Sequence, residues 1–392
     1  MSQRIALFSG VKRSRTLIYL LGFLLGLHMA LPAYLYSTFL SQFVPERFVG
    51  LLFAFASLAT ILLFTQLPKI LKAVGNFTVS LAFLMVALIS AAWLSIAIDA
   101  PTAIVLFVTS YLASSILIFT FDVFLEHVSR DGVTGVVRGT YLVFVSASWI
   151  VGQVITSFIV SDSHYTQILL LSAVVVIPML FIVVETFKRF NDPHYANLHL
   201  FKFFTSPTRH RAVLSAYLAA FLLQFFYVWM VIYTPLYLHN HLGFSWSTVA
   251  LIFSVMLIPF VIIPRPIGKI ADRWLGEKEF LVAGFLIMAI STGAMAFLAS
   301  ASALVWALVL FASRIGASAV ETMSETYFFK HVSERDISLI GVFRSTRPWA
   351  YVIAPVVATV TLSFIGIQYL FLVLGLILLY GAFKATHIKD TL

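Results

Sequence analysis

The sequence predicts an all-α integral membrane protein, with twelve transmembrane helices arranged as two pseudo-symmetric six-helix bundles. Three observations predict it. Hydrophobic residues make up 61% of the 392 residues and charged ones 10%, with a mean hydropathy of +1.01, far outside the range of soluble domains. Apolar runs of about 18 to 25 residues recur along the whole length, and each can cross a hydrocarbon core of about 30 Å as a helix. The third observation is an internal repeat. Residues 127–138 read HVSRDGVTGVVR, and residues 331–344 read HVSERDISLIGVFR. Pro32 and Pro235 each start a Pro-x-Tyr-Leu turn, and a Lys-Ile pair stands at Lys69-Ile70 and again at Lys269-Ile270. These matches keep their order at offsets of 200 to 206 residues, which makes the chain two copies of one half.

The first span follows a basic N-terminus, MSQRIALFSGVKRSRT, and runs from Leu17 to Leu40. A signal peptide has a shorter apolar core and a small-residue cleavage site, so this segment reads as a membrane helix. Further spans are expected at 48–66, 78–98, 101–125, 140–160 and 166–186, then at 213–238, 247–264, 280–300, 302–327, 342–364 and 367–384. The expected division is a first bundle over 1–186, a linker over 187–212 and a second bundle over 213–392. The linker mixes Phe, Tyr and Leu with Lys, Arg and His. It suits either a strip on the inner membrane surface or a plain tether.

The charges test this topology. Loops and helix ends assigned to the inner side hold 23 of the 25 Lys and Arg; Arg47 falls in an outer loop and Arg314 inside a span. The asymmetry places both termini in the cytoplasm and the protein in a plasma (inner) membrane. Glu46, Asp99 and Asp162 all fall in outer loops. The net charge of +9 is therefore topological, and no nucleic-acid partner is implied. A chain without cysteine has no disulfide, thiolate nucleophile or cysteine metal site. The histidines at 194, 199, 210, 239 and 241 are too irregularly spaced for a metal site, so no metal or cofactor is expected.

Between the eighth and ninth spans stands PIGKIADRWLGEK, residues 266–278. It resembles the signature loop of the major facilitator superfamily, Gly-x-x-x-Asp-Arg-x-Gly-Arg-Arg. Gly268, Asp272, Arg273, Gly276 and Lys278 match, with one extra residue between Arg273 and Gly276. Glycines there allow a tight turn and close helix approach, and an Asp beside a helix N-terminus is favoured by the helix dipole. The resemblance implies a cytoplasmic latch that breaks as a transporter switches. It places Asp272 near Arg138 and lets Arg273 or Lys278 reach Glu325, with Arg344 in the same gate. The corresponding first-half loop, LPKILKAVGNF, keeps Gly75 but lacks the acid and the final base. There Lys69 or Lys72 would pair with Asp122 or Glu126.

The tenth span carries the costliest residues. Glu321 and Glu325 follow Arg314 at seven and eleven positions, offsets that return to within about 20° of one helix face. An unpaired charge at this depth costs at least roughly 2.5–3.5 kcal/mol, so Arg314 should meet a wet cavity or a counter-charge. Binding substrate and pairing with Glu321 are its two readings. His28, four residues before Pro32, can change charge near neutral pH whereas Arg314 effectively cannot; His28 or Glu321 would carry a coupled proton. His28 reads equally as an interhelical hydrogen-bonder. Tyr111, Gln224, Tyr227 and Trp229 lie at comparable depth and suit either a small amphipathic ligand or plain helix packing.

No phosphate loop, zinc-protease motif or nucleophile elbow is present, which argues against ATP as the motor and against an enzyme. The reading is a monomeric secondary transporter of a small molecule with a midplane site that includes Arg314. It works by alternating access of its two bundles, as symporter or antiporter, with protons as possible partner. The alternatives are proton-driven drug efflux with Arg314 structural, and a non-transporting receptor or lipid-handling protein. The fifth span lacks the Gly-Pro signature that the resemblance associates with drug–proton antiporters.

Overall fold

The computed structural model describes residues 2–128, 134–160, 165–193, 211–271, 276–298, 302–331 and 343–388. Among these, all regular structure is helical. The first half holds α1 (Ser2–Ala33), α2 (Tyr36–Ser41), α3 (Glu46–Leu94), α4 (Ala100–Val128), α5 (Thr134–Ile159) and α6 (Thr166–Phe187). The second begins with α7 (Arg211–Leu236), which passes into a π-turn at Tyr237–His241. It continues through α8 (Trp246–Met256), α9 (Pro259–Ile262), α10 (Pro264–Ile270) and α11 (Gly276–Met295). It ends with α12 (Ala303–His331), α13 (Thr346–Leu362) and α14 (Ile367–Ala385).

Ten runs among the described residues are long and apolar enough to cross a membrane. One of them, the 49-residue α3, is two spans joined at Gly75, whose φ of 82° breaks the helix. The apolar α13 is also a span, although only 17 residues long. The twelve expected helices are thus accounted for. The eighth is not the single rod that its apolar run suggests: Pro259 and Pro264 start new helices and divide it into α8, α9 and α10. A proline lacks the amide hydrogen that would continue the ladder.

Backbone contacts divide the chain into two compact units, Met1–Phe43 with Ala59–Asn197 and Val44–Leu58 with Leu198–Leu392. In the first, α4, α5 and α6 pack on α1. Ile18, Leu21 and Leu25 meet Leu117 and Phe121 of α4 and Val176, Met179 and Val183 of α6. Helix α5 comes closer still, because a side chain at Gly26 would collide with Ser148 and one at Gly152 would stand 2.8 Å from the Ala30 Cβ. Small residues at such crossings are how membrane helices gain contact without a hydrophobic driving force.

Pro32 interrupts α1 and deprives the His28 carbonyl of its helical donor. The neighbours supply replacements. The Ser172 hydroxyl donates to the His28 carbonyl at 2.8 Å, the Gln153 amide to Ala30 at 2.7 Å and the Thr156 hydroxyl to Leu31 at 3.2 Å.

In the second unit α11 lies against α12 and α14, with the Gly284 and Gly316 backbones in contact. The Trp229 indole donates to the Ala354 carbonyl at 2.7 Å and ties α7 to α13. Large apolar side chains face outward, with Phe158 82% and Phe364 83% exposed. In water that surface would be prohibitive; against lipid it is the expected solvent face. This is an integral membrane protein.

Asp99, just before α4, accepts a hydrogen bond from the Thr102 amide at 3.0 Å. The Thr102 amide and hydroxyl hold its carboxyl below the usual carboxylate range. A depressed carboxyl stabilises the fold above its unfolded-state pKa, and the contribution is lost as pH falls through the folded value. Asp99→Ala should therefore lower the melting temperature at pH 7, and the gap to the parent should narrow below about pH 4. Thermal unfolding in detergent across that range checks it.

Candidate functional site

Arg314, Glu321 and Glu325 all lie on α12. Arg314 lies in the middle of α12 and is only 2% exposed. Small residues Ser313, Gly316, Ala317 and Ser318, all buried, leave room for its guanidinium. That group stacks over the Phe226 ring of α7 at 4.8 Å and donates to the Ser313 hydroxyl at 3.3 Å. A guanidinium over an aromatic face is attracted by the ring's quadrupole, most strongly where water is excluded. Two turns along α12, Glu321 accepts a hydrogen bond from the Tyr227 hydroxyl of α7 at 3.1 Å. The Tyr227 ring lies 6.0 Å from Phe260 of α9. Adjacent residues of α7 thus meet two side chains of α12, Phe226 the guanidinium and Tyr227 the carboxyl. Gln224 lies on α7 three positions earlier and is half-buried.

The other candidates are placed differently. His28 is 1% exposed, and its Nδ1 lies 2.9 Å from both the carbonyl and the hydroxyl of Ser172 on α6. Its Nε2 lies 3.4 Å from the Ser114 hydroxyl of α4. Of its two readings, this geometry is that of an interhelical hydrogen-bonder. Tyr111 is half-buried on α4, 6.1 Å from the Phe107 ring. Trp229 is spent on the α13 backbone, as described above.

At the far end of α12, Glu325 pairs with Arg344 at 2.5 Å. Resemblance pointed instead to Arg273 or Lys278. Asp272 and Arg273 lie outside the described residues, as do residues 129–133 and 332–342 of the two repeated stretches and the Arg138 side chain. Gly276 takes a φ of 72° and Gly75 one of 82°, so each half turns at its loop glycine through the left-handed region that favours glycine. Gly268 lies within α10 with open space around it.

Two ties at these turns were missed. Glu277, directly after Gly276, is completely buried and pairs with Lys330 of α12 at 2.5 Å. In the first half the residue after the glycine is Asn76, whose amide side chain donates to the Thr120 carbonyl at 2.9 Å. Its backbone N–H donates to Asp192 at 2.7 Å, so the acid comes from the start of the linker. A side chain on Gly75 would stand 2.7 Å from that carboxylate. Lys69, one of the two lysines expected to pair with an acid of α4, donates to Gln66 at 3.3 Å; Asp122 and Glu126 are exposed on α4. The adjacency of Gly276 and Glu277 was the available signal. Nothing in the sequence joined Asp192 to Asn76, 116 residues away.

The model of the major facilitator superfamily matches residues 18–336 and again 247–387. The chain belongs to the major facilitator superfamily. Solved structures agree on the fold. The nucleoside transporter NupG superposes with a TM-score of 0.75 at 12% identity, covering 96% of this chain and 98% of that one. A crystal structure of a NupG mutant gives 0.76 at 12% identity, covering 96% and 100%. No curated protein sequence matches the chain. As a member of this superfamily the chain has a transporter's fold, and its signature loop turns at Gly276 beside a buried Glu277.

Breaking a buried pair by removing one partner costs about 3–5 kcal/mol, whereas replacing both is far cheaper. Here only Glu277 is fully buried and Lys330 is 36% exposed, so water screens the pair and Lys330→Met should destabilise the protein by less, about 1–3 kcal/mol. Adding Glu277→Gln should recover more than half of the loss, as read by thermal unfolding in detergent.

Proposed function

We propose that the protein is a secondary transporter that moves a small molecule by alternating access, with its substrate site on α7 and α12. The observation that carries this reading is the paired arrangement of Arg314 over Phe226 and Glu321 beneath Tyr227. A cation, a carboxyl and two aromatic faces offer a ligand donors, an acceptor and an apolar wall. Arg314 supplies a fixed charge for an anionic or strongly hydrogen-bonding group. Glu321 is the member of the pair able to exchange a proton, and it is the coupling residue if a proton gradient drives transport. The charge asymmetry of the sequence supports an inner membrane location with cytoplasmic termini. Glu325, Arg344, Glu277 and Lys330 support an inner latch on the second half.

The solved structures of similar fold are of a nucleoside transporter, so nucleosides head the ligand panel; at 12% identity the likeness carries the fold and the site carries the ranking. Purified protein is screened by thermal shift against nucleosides, sugars, organic acids, amino acids and cationic drugs, beside Arg314→Ala. A ligand at 100 times its Kd adds about 2.7 kcal/mol of stability. The expected result is stabilisation by a ligand with an anionic or acceptor group, lost in Arg314→Ala. Equal stabilisation of both proteins by cationic or neutral ligands moves Arg314 into the scaffold and favours drug efflux. In vesicles, Glu321→Gln should abolish uptake driven by a pH gradient while leaving substrate exchange, because exchange needs no net proton movement.

A further inference from the structure

The broken eighth span reaches the same stripe of α12 that carries Arg314 and Glu321. Pro259 and Pro264 isolate α9 as a four-residue helix, so its facing is set by its own contacts and not by a continuous rod. One of those contacts is to α12, where the Ser318 hydroxyl donates to the Pro259 carbonyl at 3.4 Å. Ser318 stands four positions after Arg314 and three before Glu321, which seats α9 between the two. Ile258, Val261 and Ile262 face outward and are exposed. Phe260, about 200° round the helix from Ile262, is turned the other way. Its ring meets that of Tyr227 edge to face at 6.0 Å, and the Tyr227 hydroxyl donates to Glu321 at 3.1 Å. Gln224, Tyr227, Phe260 and Glu321 are each half-buried, whereas Arg314 and Ser318 are buried. A ligand arriving here meets two aromatic rings, an amide and a carboxyl.

We propose that α9 completes the substrate site, with Phe260 selecting a ligand that carries a flat, unsaturated ring and Ser318 positioning it. An organic cation is the other guest that aromatic faces accept. The surrounding charges disfavour it. Glu325, Arg344 and Arg347 all interact electrostatically with Glu321, and Arg314 lies two turns away on the same helix. Three guanidinium groups against two carboxyls leave a cationic ligand no net attraction. A neutral or anionic ring escapes that repulsion. It can stack or stand edge-on against Tyr227 and Phe260, and such contacts add to what burial alone supplies. The Gln224 amide, with donors and an acceptor, suits the polar edge of a ring. Ser318 acts on the ligand only through Pro259, so it is a positioning residue. The proposal rests on the reading that α7 and α12 hold the substrate.

The test compares ligands that differ only in ring unsaturation. Purified protein is titrated with benzoate and cyclohexanecarboxylate, and with uridine and 5,6-dihydrouridine, and the thermal shift reports each Kd. Cyclohexanecarboxylate is the more apolar of its pair, so burial alone predicts that it binds more tightly. The parent should instead bind the unsaturated member about two- to tenfold more tightly, the scale of an aromatic contact. Phe260→Leu should remove that preference and Ser318→Ala should lower it, whereas Phe260→Tyr, which keeps the ring, should retain it. A preference that survives Phe260→Leu would overturn the proposal, as would a parent stabilised by neither benzoate nor uridine. Arg314→Ala should weaken both carboxylates alike and leave their ratio unchanged. If Arg314→Ala alters neither affinity while the ratio still depends on Phe260, the Arg314 anchor fails and the ring subsite stands.

Discussion

Everything in this structure depends on one constraint: backbone polar groups inside a bilayer have no water to bond with. Helices satisfy it automatically except where the ladder is broken. Pro32 breaks it in α1, and three side chains from α5 and α6 meet the carbonyls of His28, Ala30 and Leu31. These replacements do more than remove a penalty. They lock the C-terminal end of α1 to its neighbours, and they absorb the His28 ring into the same network. Hydroxyls elsewhere turn back on their own helix, as when Ser114 donates to Ser110 and Thr322 to Ser318.

Charge inside the membrane obeys a stricter version of the same rule. Arg314 is accepted at 2% exposure because small residues make space for it and the Phe226 face receives it. The resulting arrangement is built from two helices, with consecutive residues of α7 meeting a guanidinium and a carboxyl on α12. Such an arrangement is sensitive to rotation of either helix, because Phe226 and Tyr227 would leave their partners together. Sensitivity of that kind is useful to a protein whose fold belongs to a family of transporters.

The two halves show how a repeat diverges under common geometry. Gly75 and Gly276 both adopt positive φ at corresponding turns. The residue that follows is an asparagine in one half and a buried glutamate in the other. The second half balances its acid with Lys330 on α12; the first recruits Asp192 from beyond α6. The linker therefore begins as a docked segment, reinforced where Phe190 meets Phe124 and His127 at 4.9 Å.

Composition and periodic apolar runs determined the membrane, the helices and their number, because a span needs only length and hydropathy, which are local properties. The stripe of Arg314, Glu321 and Glu325 was equally legible, since all three lie on one helix and follow its 100° step. The signature loop carried the family. Partnerships across helices were decided only by tertiary structure. Glu325 meets Arg344 where resemblance offered Arg273 or Lys278, Glu277 meets Lys330, and Asp192 meets Asn76. Each depends on rotation and depth of two helices, and in lipid those are set by small-residue packing at places such as Gly26 and Gly316. A sequence read along one helix at a time contains no record of that packing.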